Sequence, residues 1–171
     1  YFDEEINSLA QANGQTFEQA CEQLRLDYDG YHFSYDTPGM YNPFSILNTL
    51  SQQRYGSYWF ETGTPTFLVE LLQKADFNLE QMSNMEADAD TLGSIFNDDN
   101  PIPVIYQSGY LTIREYDREF DLFKLGFPNR EVENGFLKFL LPFYTAKRNT
   151  SSAFEISRFV TDIKSGNADG F

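Results

Sequence analysis

The sequence predicts a mainly α fold with one small β-hairpin, an α+β chain. Two observations predict it. Apolar residues recur at three- and four-residue spacing behind helix-capping residues along most of the chain, and alternation of apolar with polar residues is confined to one stretch near residues 104–127. With 41% hydrophobic and 17% aromatic residues, the composition is too apolar for a disordered segment. A chain of this length buries about two-thirds of the surface that it exposes when unfolded.

Phe2, Ile6 and Leu9 share a helical face, and Asn13-Gly14 stops that first helix. Thr16 with Gln19 is a capping-box pattern that opens a second helix, whose Phe17, Ala20, Cys21 and Leu24 fall on one side. The two make a helical hairpin, with Cys21 on its apolar stripe as a small buried hydrophobe rather than a nucleophile. In DYDGYHFSYD, residues 27–36, Gly30 permits a tight turn that Tyr28, Tyr31, Phe33 and Tyr35 crowd. The chain's one histidine, His32, finishes that packing with its polar edge outward. Asn42-Pro43 gives a cap followed by proline at the first helical position, with Phe44, Ile46, Leu47 and Leu50 on the buried side and an end near Gly56.

Thr64-Pro65 repeats that pattern before Phe67, Leu68, Leu71, Leu72 and Ala75, and Trp59 and Phe60 between the two helices plug the core. Residues 76–103 read as an acidic connection with at most one helical turn, because Pro101 and Pro103 break any helix before Val104. VIYQSGYLTIREYD and REFDLFKLGFPN read as the strands of the hairpin, turning between Asp117 and Asp121. Asn129 caps a further helix that buries Val132, Phe136, Phe139 and Leu140 until Pro142 ends or kinks it. Ser152 and Glu155 open a last helix, and Gly166 closes it.

Twelve Lys and Arg against 26 Asp and Glu give a formal charge of −14, and no run is more basic than Lys147-Arg148. Phosphate backbones are repelled at most faces of such a chain, which counts against autonomous nucleic-acid binding. A single cysteine excludes an internal disulfide framework and fits a reducing, cytoplasmic compartment. No apolar run approaches the roughly 18 residues needed to span a bilayer, so no membrane partner is expected. The opening at Tyr1 and the end at NADGF read as those of a fragment.

DADTLGSIFNDD, residues 88–99, places Asp88, Asp90, Gly93 and Asp99 as in a calcium-binding loop. Leu92 stands where an oxygen ligand belongs, Asp99 is shorter than the bidentate Glu that closes such a loop, and the two prolines forbid the exiting helix. No metal is expected. His32 beside Asp29, Asp36, Tyr31 and Ser34 has the residue types of a general base with its partners. Neighbours within one loop seldom converge, however, and no G-x-S-x-G or H-E-x-x-H pattern accompanies them. A small hydrolase built on His32 is therefore the lesser alternative, and no catalytic residue is assigned. No G-x-x-x-x-G-K-[ST] loop occurs either, so these residues do not hydrolyse a nucleotide by themselves.

Five stretches in order, YDGYHFS, MYNPFSILNTL, YWFETGTPTFLVELL, QSGYLTI and LGFPNREVENGFLKFLLPFY, resemble the carboxyl-terminal half of the bacterial AAA-ATPase-like proteins over most of residues 1–145. The resemblance implies a parent protein with an upstream phosphate-binding loop that takes ATP and Mg²⁺ and a downstream PD-(D/E)xK nuclease-like domain, neither of them in this chain. It implies a helical lid-like part over 1–100, a winged-helix-like hairpin and helix over 101–145, and a linker and helix over 146–171. On that reading the chain is no enzyme but a regulatory and interaction region. Its partners are the ATPase core and the nuclease-like domain, and it self-associates through the patch that a missing core leaves exposed. His32, Arg25 and Arg54 are the residues expected to contact nucleotide bound by that core, and the chain alone holds no cofactor. A winged-helix nucleic-acid adaptor is the alternative, weakened because the helix from Arg130 offers only Arg130, Lys138 and Lys147 to phosphates and base edges.

Overall fold

Helix α1 (Asp3–Ala12) and helix α2 (Phe17–Tyr28) form the expected hairpin, and local hydrogen bonds fix the turn between them. Thr16 Oγ1 accepts from the Gln19 N–H at 3.2 Å, and Gln19 Oε1 accepts from the Thr16 N–H at 2.9 Å. Helix α3 (Pro43–Gln52) starts behind Asn42, whose Oδ1 accepts from the Phe44 N–H at 3.1 Å. Leu9, Leu24, Tyr28 and Leu50 pack into one core, with Ile6, Ile46 and Tyr55 at its edge. These are features of a computed structural model that describes residues 2–32, 34–61, 66–75, 85–94 and 100–144.

The buried side of α3 differs from the periodic reading. Ser45, Thr49 and Leu50 are buried, whereas Phe44 and Leu47 are 46% and 54% exposed. Ile46 and Leu50 engage the α1–α2 hairpin and Ser45 turns toward the second half of the chain, so no described element covers the remaining flank. Phe2 is exposed as well, and Cys21 is half-buried rather than buried.

Helix α4 (Tyr58–Glu61) carries Trp59 and Phe60 into a second core, as expected. Helix α5 (Thr66–Lys74) buries Leu68, Val69, Leu71 and Leu72 there and leaves Phe67 exposed. The Thr64-Pro65 cap and the helix expected from Ser152 lie outside the described residues.

The segment read as a connection contributes strand β1 (Met85–Ala87) and then helix α6 (Ala89–Gly93), the one expected helical turn. The largest departure comes next: Val104–Gln107, read as the start of a strand, lies in helix α7 (Ile102–Gln107). Pro101 is the N-cap and Pro103 sits in the first turn, where a fixed φ helps and a missing N–H costs nothing, so here proline starts a helix instead of breaking one. Asn100 Oδ1 accepts from the Ile102 N–H at 3.1 Å and completes the start. Strand β2 (Thr112–Asp117) and strand β3 (Leu122–Gly126) then form the hairpin, and β1 pairs with the free edge of β3. The result is a three-stranded antiparallel sheet of order β1-β3-β2 on a mainly α chain. Helix α8 (Arg130–Tyr144), capped by Asn129 Oδ1 on the Val132 N–H at 3.0 Å, runs two residues past Pro142.

The second core extends from Leu68 to Leu140 and so crosses residue 100. At its centre Tyr110 packs against Trp59, Phe60 and Phe136 with ring centroids 4.9 to 5.9 Å apart. Burial pushes the Tyr110 hydroxyl up to about 12. A phenol protonated more tightly in the folded state than in the unfolded one contributes stability that is present below pH 10 and is lost as pH rises from about 10 to 12. Tyr110→Phe is therefore expected to match the parent chain in urea midpoint at pH 8 and to exceed it at pH 11.

Glu131 ties the two cores together. Its side chain, 4% exposed, accepts from the Ser45 hydroxyl at 2.7 Å on one oxygen and from the Trp59 N–H at 2.9 Å on the other.

Candidate functional site

The end of α2, the β2–β3 hairpin and the start of α8 enclose a cleft of about 880 Å³. Two local features of the backbone build it. Gly30 has φ +108, and a Cβ there would lie 2.1 Å from the Pro128 carbonyl oxygen, so the loop after α2 runs directly against the connection into α8. Asp29, His32 and Arg130 all line the resulting cleft. On the hairpin, Ile113 pairs with Leu125 and Glu115 with Lys124, which leaves Arg114 as the extra residue of a β-bulge. Bulges re-aim side chains, and this one sends Arg114 across Gly126. Its guanidinium donates to the Phe127 carbonyl and, at 3.3 Å, to the Pro128 carbonyl.

The charges in the cleft alternate in sign. Burial lowers the pKa of Arg114 below its ordinary value, and nearby Glu133 pulls it the other way. Glu115, 3.2 Å from Lys124, holds that ammonium above its usual range, and Glu86 faces Lys124 across the β1–β3 ladder. Arg25 makes a two-point pair with Glu22 at 2.7 and 2.9 Å. Asp29 Oδ1 accepts from the Gly30 N–H at 2.7 Å.

His32 is tied to its surroundings by three hydrogen bonds. Its backbone N–H donates to Thr112 Oγ1 at 2.8 Å, and that hydroxyl donates back to the His32 carbonyl at 3.1 Å. Nδ1 lies 2.9 Å from the Thr37 carbonyl, which only accepts, so the proton of this pair sits on Nδ1.

Of the three residues expected to meet a nucleotide, Arg25 and His32 line this cleft together. Arg54 does not; it lies in the exposed turn that follows α3. Arg114, Lys124, Asn129 and Arg130 also line the cleft and carry no local sequence signal for it. The nearest hint is that strand residues pointing away from a core are free to be charged, which fits Lys124 on β3. Asp88, the first residue of the calcium-loop pattern, caps α6 through the Thr91 N–H at 2.7 Å, while residues 95–99 lie outside the described part. Among the described residues no group of three or more His, Cys, Asp or Glu is placed to hold a metal, and no helix is long and apolar enough to cross a membrane.

A second concavity, of about 430 Å³, runs between α1, α2 and α3 and shares no residue with the cleft. Phe2, Ile6, Tyr41, Ile46 and Leu47 line it, together with Cys21, whose thiol burial pushes up.

Fold and sites together define a mainly α chain with a small antiparallel sheet, a mixed-charge cleft at their junction and an apolar groove on the helical side. No family model matches the chain, and no solved structure matches it. It is similar to a protein of Azotobacter chroococcum mcd 1 described as an uncharacterized protein in the vnfD 5' region, with 36% identity over 116 residues. That match covers 66% of this chain and 22% of the relative, so the chain spans less than a quarter of the length of the curated relative that it matches.

Proposed function

We propose that the chain is a non-catalytic interaction region of a larger cytoplasmic ATPase-like protein, docked between the ATPase core and a nuclease-like domain. The supporting observation is the apolar groove between α1, α2 and α3. Scattered exposed apolar residues are ordinary on a folded protein, but Phe2, Tyr41 and Leu47, each between 42% and 54% exposed, gather around one groove. The occupant of the groove in this reading is an apolar face of the ATPase core. A relative with most of its length outside the matched region is consistent with such a neighbour. The adaptor reading draws less support, because Arg25, Arg114, Lys124 and Arg130 are interleaved with Asp29, Glu86, Glu115 and Glu133 and form no uniformly basic face.

The test uses the chain and a separately produced ATPase core of the parent protein. The chain alone is expected to show no ATP hydrolysis and to bind that core, and Leu47→Asp is expected to weaken binding by about tenfold or more with no change in thermal midpoint. Core binding that Leu47→Asp leaves intact, or no binding at all, would overturn the reading.

A further inference from the structure

Four of the chain's twelve Lys and Arg side chains line the cleft at the start of α8, beside the carboxylates of Asp29, Glu86, Glu115 and Glu133. They come from four elements, Arg25 from α2, Arg114 from β2, Lys124 from β3 and Arg130 from α8. Two of the four already face carboxylates, Lys124 with Glu115 and Arg25 with Glu22. Arg114 is directed by its bulge onto two neutral carbonyls, which leave its charge uncompensated apart from the pull of Glu133. Arg130 makes no ion pair among the described residues, although its charge acts on the Glu22 and Asp27 carboxyls.

Asn129 lines the same cleft as these two arginines. Its Oδ1 is occupied by the Val132 N–H, yet its Nδ2 has no hydrogen-bond partner although the residue is only 7% exposed. A buried donor without an acceptor is costly, and native folds leave few of them. An acceptor supplied from outside the chain removes that cost. The amide also stands at the N-terminus of a fifteen-residue helix, where peptide dipoles favour negative charge. Two guanidinium groups, an amide and a helix start together suit an anion with several oxygens, because guanidinium forks engage phosphate oxygens in pairs.

We propose that this cleft binds a phosphate group of a small molecule, with Arg114 and Arg130 as its charged contacts and the Asn129 amide as its neutral donor. The site stands apart from the docking groove and does not depend on it. The phosphate is either inorganic or the terminal group of a nucleotide, and titration separates the two sources. Pyrophosphate and ATP are added in turn to the 171-residue chain at constant ionic strength, with heat and the side-chain amide resonances followed together.

Saturable binding is expected with a dissociation constant below about 1 mM, accompanied by movement of the Asn129 amide resonance. Arg130→Gln and Arg114→Gln are each expected to weaken it about tenfold or more, and Leu47→Asp to leave it unchanged. Arg130 is exposed, so its replacement keeps the test valid even where Arg114→Gln disturbs the hairpin. Tighter binding of ATP than of pyrophosphate assigns the phosphate to a nucleotide, and equal binding assigns it to the inorganic anion. No saturation by either ligand up to about 10 mM, or binding that Arg130→Gln leaves intact, would overturn the proposal.

Discussion

Replacing Gly30 by alanine lowers the stability of the chain by about 3 kcal/mol, which for a chain of this size is roughly 10 °C in thermal midpoint. Two effects add. At φ +108 an L side chain is strained wherever it sits, and here the new methyl would also lie 2.1 Å from the backbone oxygen of Pro128. That oxygen belongs to the main chain and cannot rotate away, so relief requires the loop after α2 to part from the connection into α8. Gly14 is the control, with φ +66 and nothing within 4 Å of the same methyl. Gly14→Ala carries the strain without the collision and is expected to cost only about 1 kcal/mol. Thermal melts of the two variants side by side check this, and equal losses would show that the close approach at Pro128 contributes nothing.

Glu131→Ala is expected to cost about 3 to 5 kcal/mol, because it leaves the Ser45 hydroxyl and the Trp59 N–H without their acceptor inside the protein. Glu131→Gln keeps one acceptor oxygen and is expected to cost about 1 to 3 kcal/mol. The position of Glu131 between the helical core and the sheet core adds a qualitative expectation. The chain's one tryptophan, Trp59, lies beside the tie, so its fluorescence reports on the sheet core while far-ultraviolet circular dichroism reports on all helices. In urea the two signals are expected to change together in the parent chain and to separate in Glu131→Ala. A loss below about 1 kcal/mol with coincident transitions would mean that apolar packing alone joins the cores.

What the sequence discloses depends on the distance over which its physics acts. The Thr16 capping box, the Asn42 cap and the Asn129 cap are legible because donor and acceptor lie within three residues of each other. Phe44, Leu47 and Phe67 show where such reading ends, since periodicity marks a face as apolar but says nothing of whether another element covers it. Pro101 and Pro103 are ambiguous for a local reason. The same ring that breaks a helix interior suits a first turn, and only the Asn100 cap settles which applies. β1, with three residues, is too short to show alternation. The cleft is the least legible feature. Arg25 and His32 stand out as polar groups in an aromatic stretch, but Arg114 enters through a bulge, and nothing local in the sequence announces that it shares a cleft with Arg130.

The strand order also has a meaning in time. β3 is the central strand of the sheet yet the last of the three to be made, and 40 residues separate Met85 from its partner Leu125. At a synthesis rate of about 5 to 20 residues per second, β1 waits roughly 2 to 8 seconds with its backbone hydrogen bonds unmade. Short edge strands that carry a charge resist pairing with another chain, and β1 has only three residues with Glu86 exposed at its middle.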